Sequence, residues 1–216
     1  MSLRNSENVW VLALFLGITG LLAALILAVV SDLTAEPIRQ AKMKNELRMF
    51  RELNLPDFDN NITENVFNSS NVKFMAAARE GKIVGLVAET FTKRGYNGKM
   101  RALISFDVSG NILAVQIVEH NETPGLGAAV CERKFRKTLF NLFKPTPQGL
   151  PPNGVLDQFN GKNAAGGGNW KISKDGGTLA YRTGATISCR AVTEMVNKAA
   201  AGFKSAYDHF SKGTGR

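Results

Sequence analysis

Three hydroxyl residues are packed into Thr183-Gly184-Ala185-Thr186-Ile187-Ser188, a stretch that runs directly into Cys189-Arg190-Ala191-Val192. No Ser-His-Asp arrangement accompanies them, so none reads as an activated nucleophile, and no catalytic residue is assigned. Their placement points to phosphate instead. Beyond them Val192, Met195, Val196, Ala199, Ala200, Phe203, Tyr207 and Phe210 recur at helical spacing, which predicts a helix over 188–210. The loop then lies at a helix N-terminus, where unpaired N–H groups and the positive end of the dipole favour an anion. Gly184 and Ala185 let such a group come close. An ordinary Ser/Thr helix cap accounts for the same residues without a ligand.

A second chemically loaded stretch is His120-Asn121-Glu122-Thr123-Pro124-Gly125-Leu126-Gly127. Pro124 fixes one torsion and the two glycines admit positive φ, which makes a rigid turn able to aim backbone N–H groups at a ring or a phosphate. A βα turn with no ligand reads the same way. His120 and Glu122 are residues of acid–base chemistry, but a lone histidine in a loop is more often structural or exposed.

The run Lys174-Asp175-Gly176-Gly177, then Thr183 to Ser188, then Arg190-Ala191-Val192, resembles the covalent-FMN motif of the G-subunit family of Rnf electron-transport complexes. The related C subunit of the sodium-pumping NADH:quinone reductase shares its S/T-G-A-T core. Glu122-Thr123-Pro124-Gly125-Leu126-Gly127 resembles a second element of that family, and Gly95-Tyr96-Asn97-Gly98 weakly resembles its Gly-Tyr-x-Gly turn. The resemblance implies FMN held through a phosphoester on Thr186. Thr183, Gly184, Ala185, Ile187 and Ser188 would surround it from one loop, and Glu122, Thr123, Gly125 and Leu126 from the other. It implies a covalent-FMN electron carrier inside a membrane-bound, ion-translocating ferredoxin:NAD oxidoreductase. Its partners would be the other membrane subunits and a magnesium-dependent transferase that moves FMN from FAD. The family's motif places Asp three residues before the core; Ala180 stands there in this chain. A flavin-free assembly subunit of the same fold, or a membrane-anchored FMN-domain regulator, are the competing classes.

These loops need a scaffold. Residues 73–119 read as sheet, with a strand over 82–91 and another in which Ala102, Ile104, Phe106 and Val108 form one apolar face. Ser109-Gly110-Asn111 turns the chain and 112–119 returns. Cys131, Phe135, Thr138, Leu139 and Leu142 predict a helix that Pro145 ends. Residues 146–169 are loop-rich, with a short strand expected near Val155. The Asn- and Asp-rich residues 54–72 read as loop.

Upstream, the residues from Val9 to Val30 carry no charge and at helical rise reach about 33 Å, enough for a bilayer core. A cleaved signal peptide would have a shorter apolar core and a more basic start. Trp10 stands where an interfacial aromatic belongs. A second helical stretch over Thr34–Leu55 is expected as a stalk, with Pro37 in its first turn and Ala41, Leu47 and Phe50 on its buried side. Arg39, Lys42, Lys44 and Arg48 outnumber Arg4, so the positive-inside rule places the long domain in the cytoplasm. The resemblance implies the opposite, a periplasmic domain on the inner membrane, and we follow it. The division is then tail 1–8, anchor 9–30, helical stalk and loop 31–72, FMN-binding domain 73–210 and tail 211–216. The fold class is α+β: one transmembrane helix and one domain with a mainly antiparallel sheet flanked by helices.

The 216 residues carry a net charge of +9, all of it beyond residue 30 because Arg4 and Glu7 cancel. No basic run is interleaved with aromatics, which argues against nucleic acid; membrane lipid is the expected partner of the anchor. Cys131 and Cys189 belong to no C-x-x-C pair, so no metal site is predicted. Free, half-buried thiols are expected, with a disulfide as the alternative in an oxidising compartment.

Overall fold

The computed structural model describes residues 3–135 and 149–213, and of these not the side chains of 3–8, 40–49, 51 and 213. The chain divides into two compact units, Met1–Met49 and Phe50–Arg216.

The first unit is carried by α1 (Leu3–Glu52), one uninterrupted helix. Val9–Arg39 is long and apolar enough to cross a membrane once, and none of it is buried against protein. Two hydroxyls in this run turn back on their own helix. Thr19 Oγ1 donates to the Phe15 carbonyl at 3.0 Å and Thr34 Oγ1 to the Val30 carbonyl at 2.7 Å. Such bonds satisfy polar groups where no water is at hand. Pro37 lies inside α1 instead of opening a separate stalk helix. An interior proline removes one backbone bond and costs about 3 kcal/mol, which the long helix-forming sequence on either side outweighs. The expected buried positions Ala41 and Leu47 lie outside the described side chains; Phe50 is buried.

The second unit is built on five antiparallel strands in sequential order: β1 (Val66–Ser69), β2 (Val72–Arg79), β3 (Lys82–Gly95), β4 (Gly98–Asp107) and β5 (Ile112–His120). The sheet therefore begins within the stretch read as loop. Asn68 and Ser69 hid β1, because its residues are weak strand formers and it stands at an edge. The β4–β5 turn is closed by Asp107, whose carboxylate accepts the N–H groups of Ser109 and Asn111, both at 2.8 Å. The core of β4 is buried on both faces, not one. Ala102, Ile104 and Phe106 face the main core. Leu103 and Ser105, on the opposite face, are buried as well, and Ser105 Oγ donates to the Leu53 carbonyl, just after α1, at 2.6 Å. Val108, beyond the strand, is exposed. A register shift at Ala77/Ala78 is mended from the same segment: Asn60 donates to the Ala76 carbonyl and accepts the Ala78 N–H.

Across the other face lies α3 (Thr186–Gly213). Ala191, Val192, Met195, Val196, Ala199 and Phe203 pack into one core with Phe74, Leu86, Ile104 and Phe106. At Gly202 the ring of Phe74 leaves no room for a side chain: an added Cβ would stand 2.7 Å from it. α2 (Ala128–Cys131) is a single turn whose C-terminal neighbour, Glu132, is already extended. The longer helix expected from Cys131 thus does not continue through residue 135; its remainder falls outside the described residues. Near Val155 there is a turn leading into a 3-10 segment, Asp157–Phe159, and not a strand. Asn153 organises it, accepting the N–H groups of Val155 and Leu156 and donating to carbonyls of Val130 and Glu132.

Candidate functional site

α3 starts at Thr186, two residues earlier than the apolar pattern predicts. The preceding turn is set by Ala185 N–H donating to the Arg182 carbonyl at 3.0 Å, with Gly184 at φ +82. That angle is a glycine conformation. The first helical bond runs from Cys189 N–H to the Ala185 carbonyl, so Ala185 is the capping residue and has no side-chain oxygen to offer. The N–H groups of Thr186, Ile187 and Ser188 are left without intrahelical acceptors. The expected Ser/Thr cap is absent from this end.

The three hydroxyls have different fates. Thr183 is exposed in the turn, and among the described residues its hydroxyl has no partner. Thr186 is half-buried at the first position of the helix, its hydroxyl equally free of partners among the described residues. Ser188 points inward, 1% exposed, and its Oγ donates to Oε2 of Glu122 at 2.5 Å. It is spent neither on capping nor on solvent.

That bond joins the two sequence motifs. Glu122 is 5% exposed, and its Oε1 accepts the Asn97 N–H at 3.2 Å. Asn97 Nδ2 donates to the Asn121 carbonyl at 2.9 Å and to Thr123 Oγ1 at 3.3 Å. Thr123 in turn closes its own loop, its carbonyl accepting from Leu126 and Ala128. Arg182 reaches across to the Gly125 carbonyl at 3.3 Å, and Gly184 lies under Leu126. The structure so brings together Glu122, Thr123, Gly125, Leu126, Thr183, Gly184, Ala185, Thr186, Ile187 and Ser188, with the Gly95–Gly98 turn behind them. Around this helix end Tyr96, Leu126 and Ile187 keep apolar surface in water, being 66%, 47% and 45% exposed. His120 serves the loop: its Nδ1 accepts the Glu122 N–H at 3.3 Å.

Further residues hold the flanks, one of which, Gln158, the sequence reading passed over. The side chain of Gln158 grips the backbone of Ala180 from both sides, accepting its N–H at 2.8 Å and donating to its carbonyl at 2.9 Å. The Ala180 side chain is exposed. Asp175, in a 3-10 turn closed by Gly176 in the left-handed region, receives Nε and Nη2 of Arg190 at 2.8 and 2.6 Å. This pairing holds the Asp175 carboxyl below the usual carboxylate range and pushes Arg190 up. Beside it a cavity of about 670 Å³ runs along the outer side of α3, between Trp170 and Ile172 on one wall and Ile187, Ala191 and Asn197 on the other. Both cysteines are free and fully buried, not half-buried. Burial pushes the Cys131 thiol from 9.0 up to about 12, with negative charge at Glu122, Cys189 and Glu132 acting the same way. The Cys189 thiol is raised by burial, partly offset by the Arg182 N–H it accepts at 3.4 Å.

Residues 95–201, which hold all of these loops, match the model of the FMN-binding domain family. The chain is also similar along most of its length to proteins named as the G subunit of the ion-translocating oxidoreductase complex. That of Shewanella piezotolerans is 31% identical over 198 residues, 86% of this chain and 85% of the relative. That of Salmonella typhi is 29% identical, covering 87% and 85%, and that of Haemophilus influenzae (strain PittEE) 28%, covering 87% and 86%. With its apolar N-terminal helix, its antiparallel sheet and its FMN-binding domain, the chain belongs to the family of G subunits of ion-translocating oxidoreductase complexes.

Proposed function

We propose that this chain is the covalent-FMN electron carrier of an Rnf-type, ion-translocating ferredoxin:NAD oxidoreductase, with FMN esterified to Thr186. The observation that carries the reading is the contrast between two neighbouring hydroxyls: Thr186 is free at an uncapped helix start, while Ser188 is buried on Glu122. The residues fit the group. Three open N–H groups and the helix dipole suit its phosphoryl end, and Gly184 keeps side-chain atoms away from it. Leu126, Ile187 and Tyr96 offer exposed apolar surface suited to its ring. FMN supplies one- and two-electron transfer when bound; this domain's task is to hold it, limit its motion and leave an edge open to partner subunits.

Attachment is a phosphoryl transfer. The Thr186 Oγ1–P bond forms, the pyrophosphate P–O bond of FAD breaks, AMP leaves and the hydroxyl proton goes to solvent or to a base on the transferase. The flavin domain is periplasmic and the single anchor lies in the inner membrane, as the family resemblance implies.

The test is intact mass and in-gel flavin fluorescence of the full chain made with and without a flavin transferase. Thr186→Ala abolishes the label and leaves a folded domain, because a hydroxyl without a partner at the first position of a helix contributes about 1 kcal/mol or less. Ser188→Ala keeps the label, and Ala180→Asp holds or raises it. A flavin mapped to another residue, or no flavin on wild type with a competent transferase, leaves the flavin-free assembly subunit as the better reading.

A further inference from the structure

Glu122 occupies a socket made for it. Its Oε2 takes the Ser188 hydroxyl and its Oε1 the Asn97 N–H. Two glycines line the space: a Cβ on Gly127 would run into Oε2, and one on Gly95 would stand 2.7 Å from Oε1. At 2.5 Å the bond to Ser188 lies at the short end of O–H···O distances. Both carboxyl oxygens are turned inward onto protein donors and the residue is only 5% exposed, so Glu122 faces the protein and not a ligand.

From this we infer that Glu122 is a positioning residue and not a cofactor contact. Through Ser188 it fixes the first turn of α3, and through Asn97 the turn that carries Tyr96. One carboxyl group thereby sets three loops, 95–98, 122–127 and 183–188, in a single arrangement. The role toward flavin rests on the proposal that FMN sits on Thr186; the clamp on α3 does not. A buried hydrogen bond whose partner is removed leaves an unsatisfied group behind, which makes its loss larger than its net contribution.

The experiment uses the full chain in detergent. In protein made without transferase, hydrogen exchange is followed at the amides of residues 189–192, the first bonded turn of α3. Ser188→Ala and Glu122→Ala each speed that exchange about tenfold relative to the rest of α3. The double variant is no worse than the more affected single one, since both variants remove the same Ser188–Glu122 bond. Glu122→Gln, which keeps the shape and one acceptor, falls between. In flavinylated protein the same variants lower the anisotropy of flavin fluorescence. Val196→Ala, a core change in the same helix, lowers global stability without moving either local readout. Unchanged local exchange in folded Ser188→Ala and Glu122→Gln overturns the inference, as does an equal effect of Val196→Ala. If Glu122→Ala does not fold, those two variants decide. A wild-type chain that carries no flavin on Thr186 overturns the proposed function, and the exchange measurement still judges Glu122.

Discussion

A β-carbon on Gly127 would collide with Oε2 of Glu122 and stand 2.6 Å from Oγ of Ser188, whereas one on Gly125 would meet nothing within 4 Å. The two glycines look alike in Pro124-Gly125-Leu126-Gly127, and the turn reading gave both the same reason. Only Gly125 has positive φ, at +79; Gly127 is in the helical region at φ −63 and is small because a carboxyl group needs its space. Gly127→Ala is therefore expected to cost ~1–3 kcal/mol, the range of overpacking in a tight site. Gly125→Ala should cost about 1 kcal/mol, from backbone conformation alone. Urea unfolding separates them, and equal midpoints would refute the distinction. Residue types in the two motifs made a phosphate-friendly loop and a rigid turn legible in the sequence. The bond between Glu122 and Ser188 was not, because nothing in either motif encodes how one loop stands against the other.

At the scale of elements, alternation exposed the long strands and failed at two places in the sheet. β1 is short and polar, and β4 is buried on both faces, which a one-faced pattern does not anticipate. The single-turn α2 ends where Cys131 begins its burial, between the sheet and α3. Its thiol, held up to about 12, has a definite consequence for pH. A folded value above the unfolded one means that stability is fully present below the ordinary thiol value of 9.0 and is lost as pH rises toward about 12. The urea midpoint should fall progressively above pH 9, and iodoacetamide should alkylate Cys131 at pH 8 only after denaturation. A flat midpoint to pH 11, or rapid labelling of native protein, would contradict this placement of the thiol.

On the scale of the whole molecule, an anchor and an antiparallel α+β domain were readable from composition and periodicity, because long apolar runs and alternating strands each have one simple physical solution. Continuity of α1 through Pro37 was not readable, since a proline marks a helix start as readily as an interruption. Sidedness was not readable either, because the basic flank after the anchor and the family resemblance point in opposite directions. Deleting residues 1–31 is expected to yield a soluble domain, scored by its absence from washed membranes. In intact cells with a permeable outer membrane, an impermeant amine reagent should modify the exposed Lys171. Protection of Lys171 until the cells are lysed would reverse the proposed orientation.

The strands follow one another in the sheet in the order of the chain, but the bond that sets the start of α3 spans 66 positions back to Glu122. During synthesis the meander can therefore assemble strand by strand, while α3, needed to cover it, is made after all five strands. Thr186 takes up its place only when α3 has docked. An unfinished or misfolded chain presents the same six-residue motif as a loose peptide, without the helix end behind it. Under the proposed reading, the modification is timed by the fold: a transferase that requires the docked helix labels only chains in which α3 already covers the sheet.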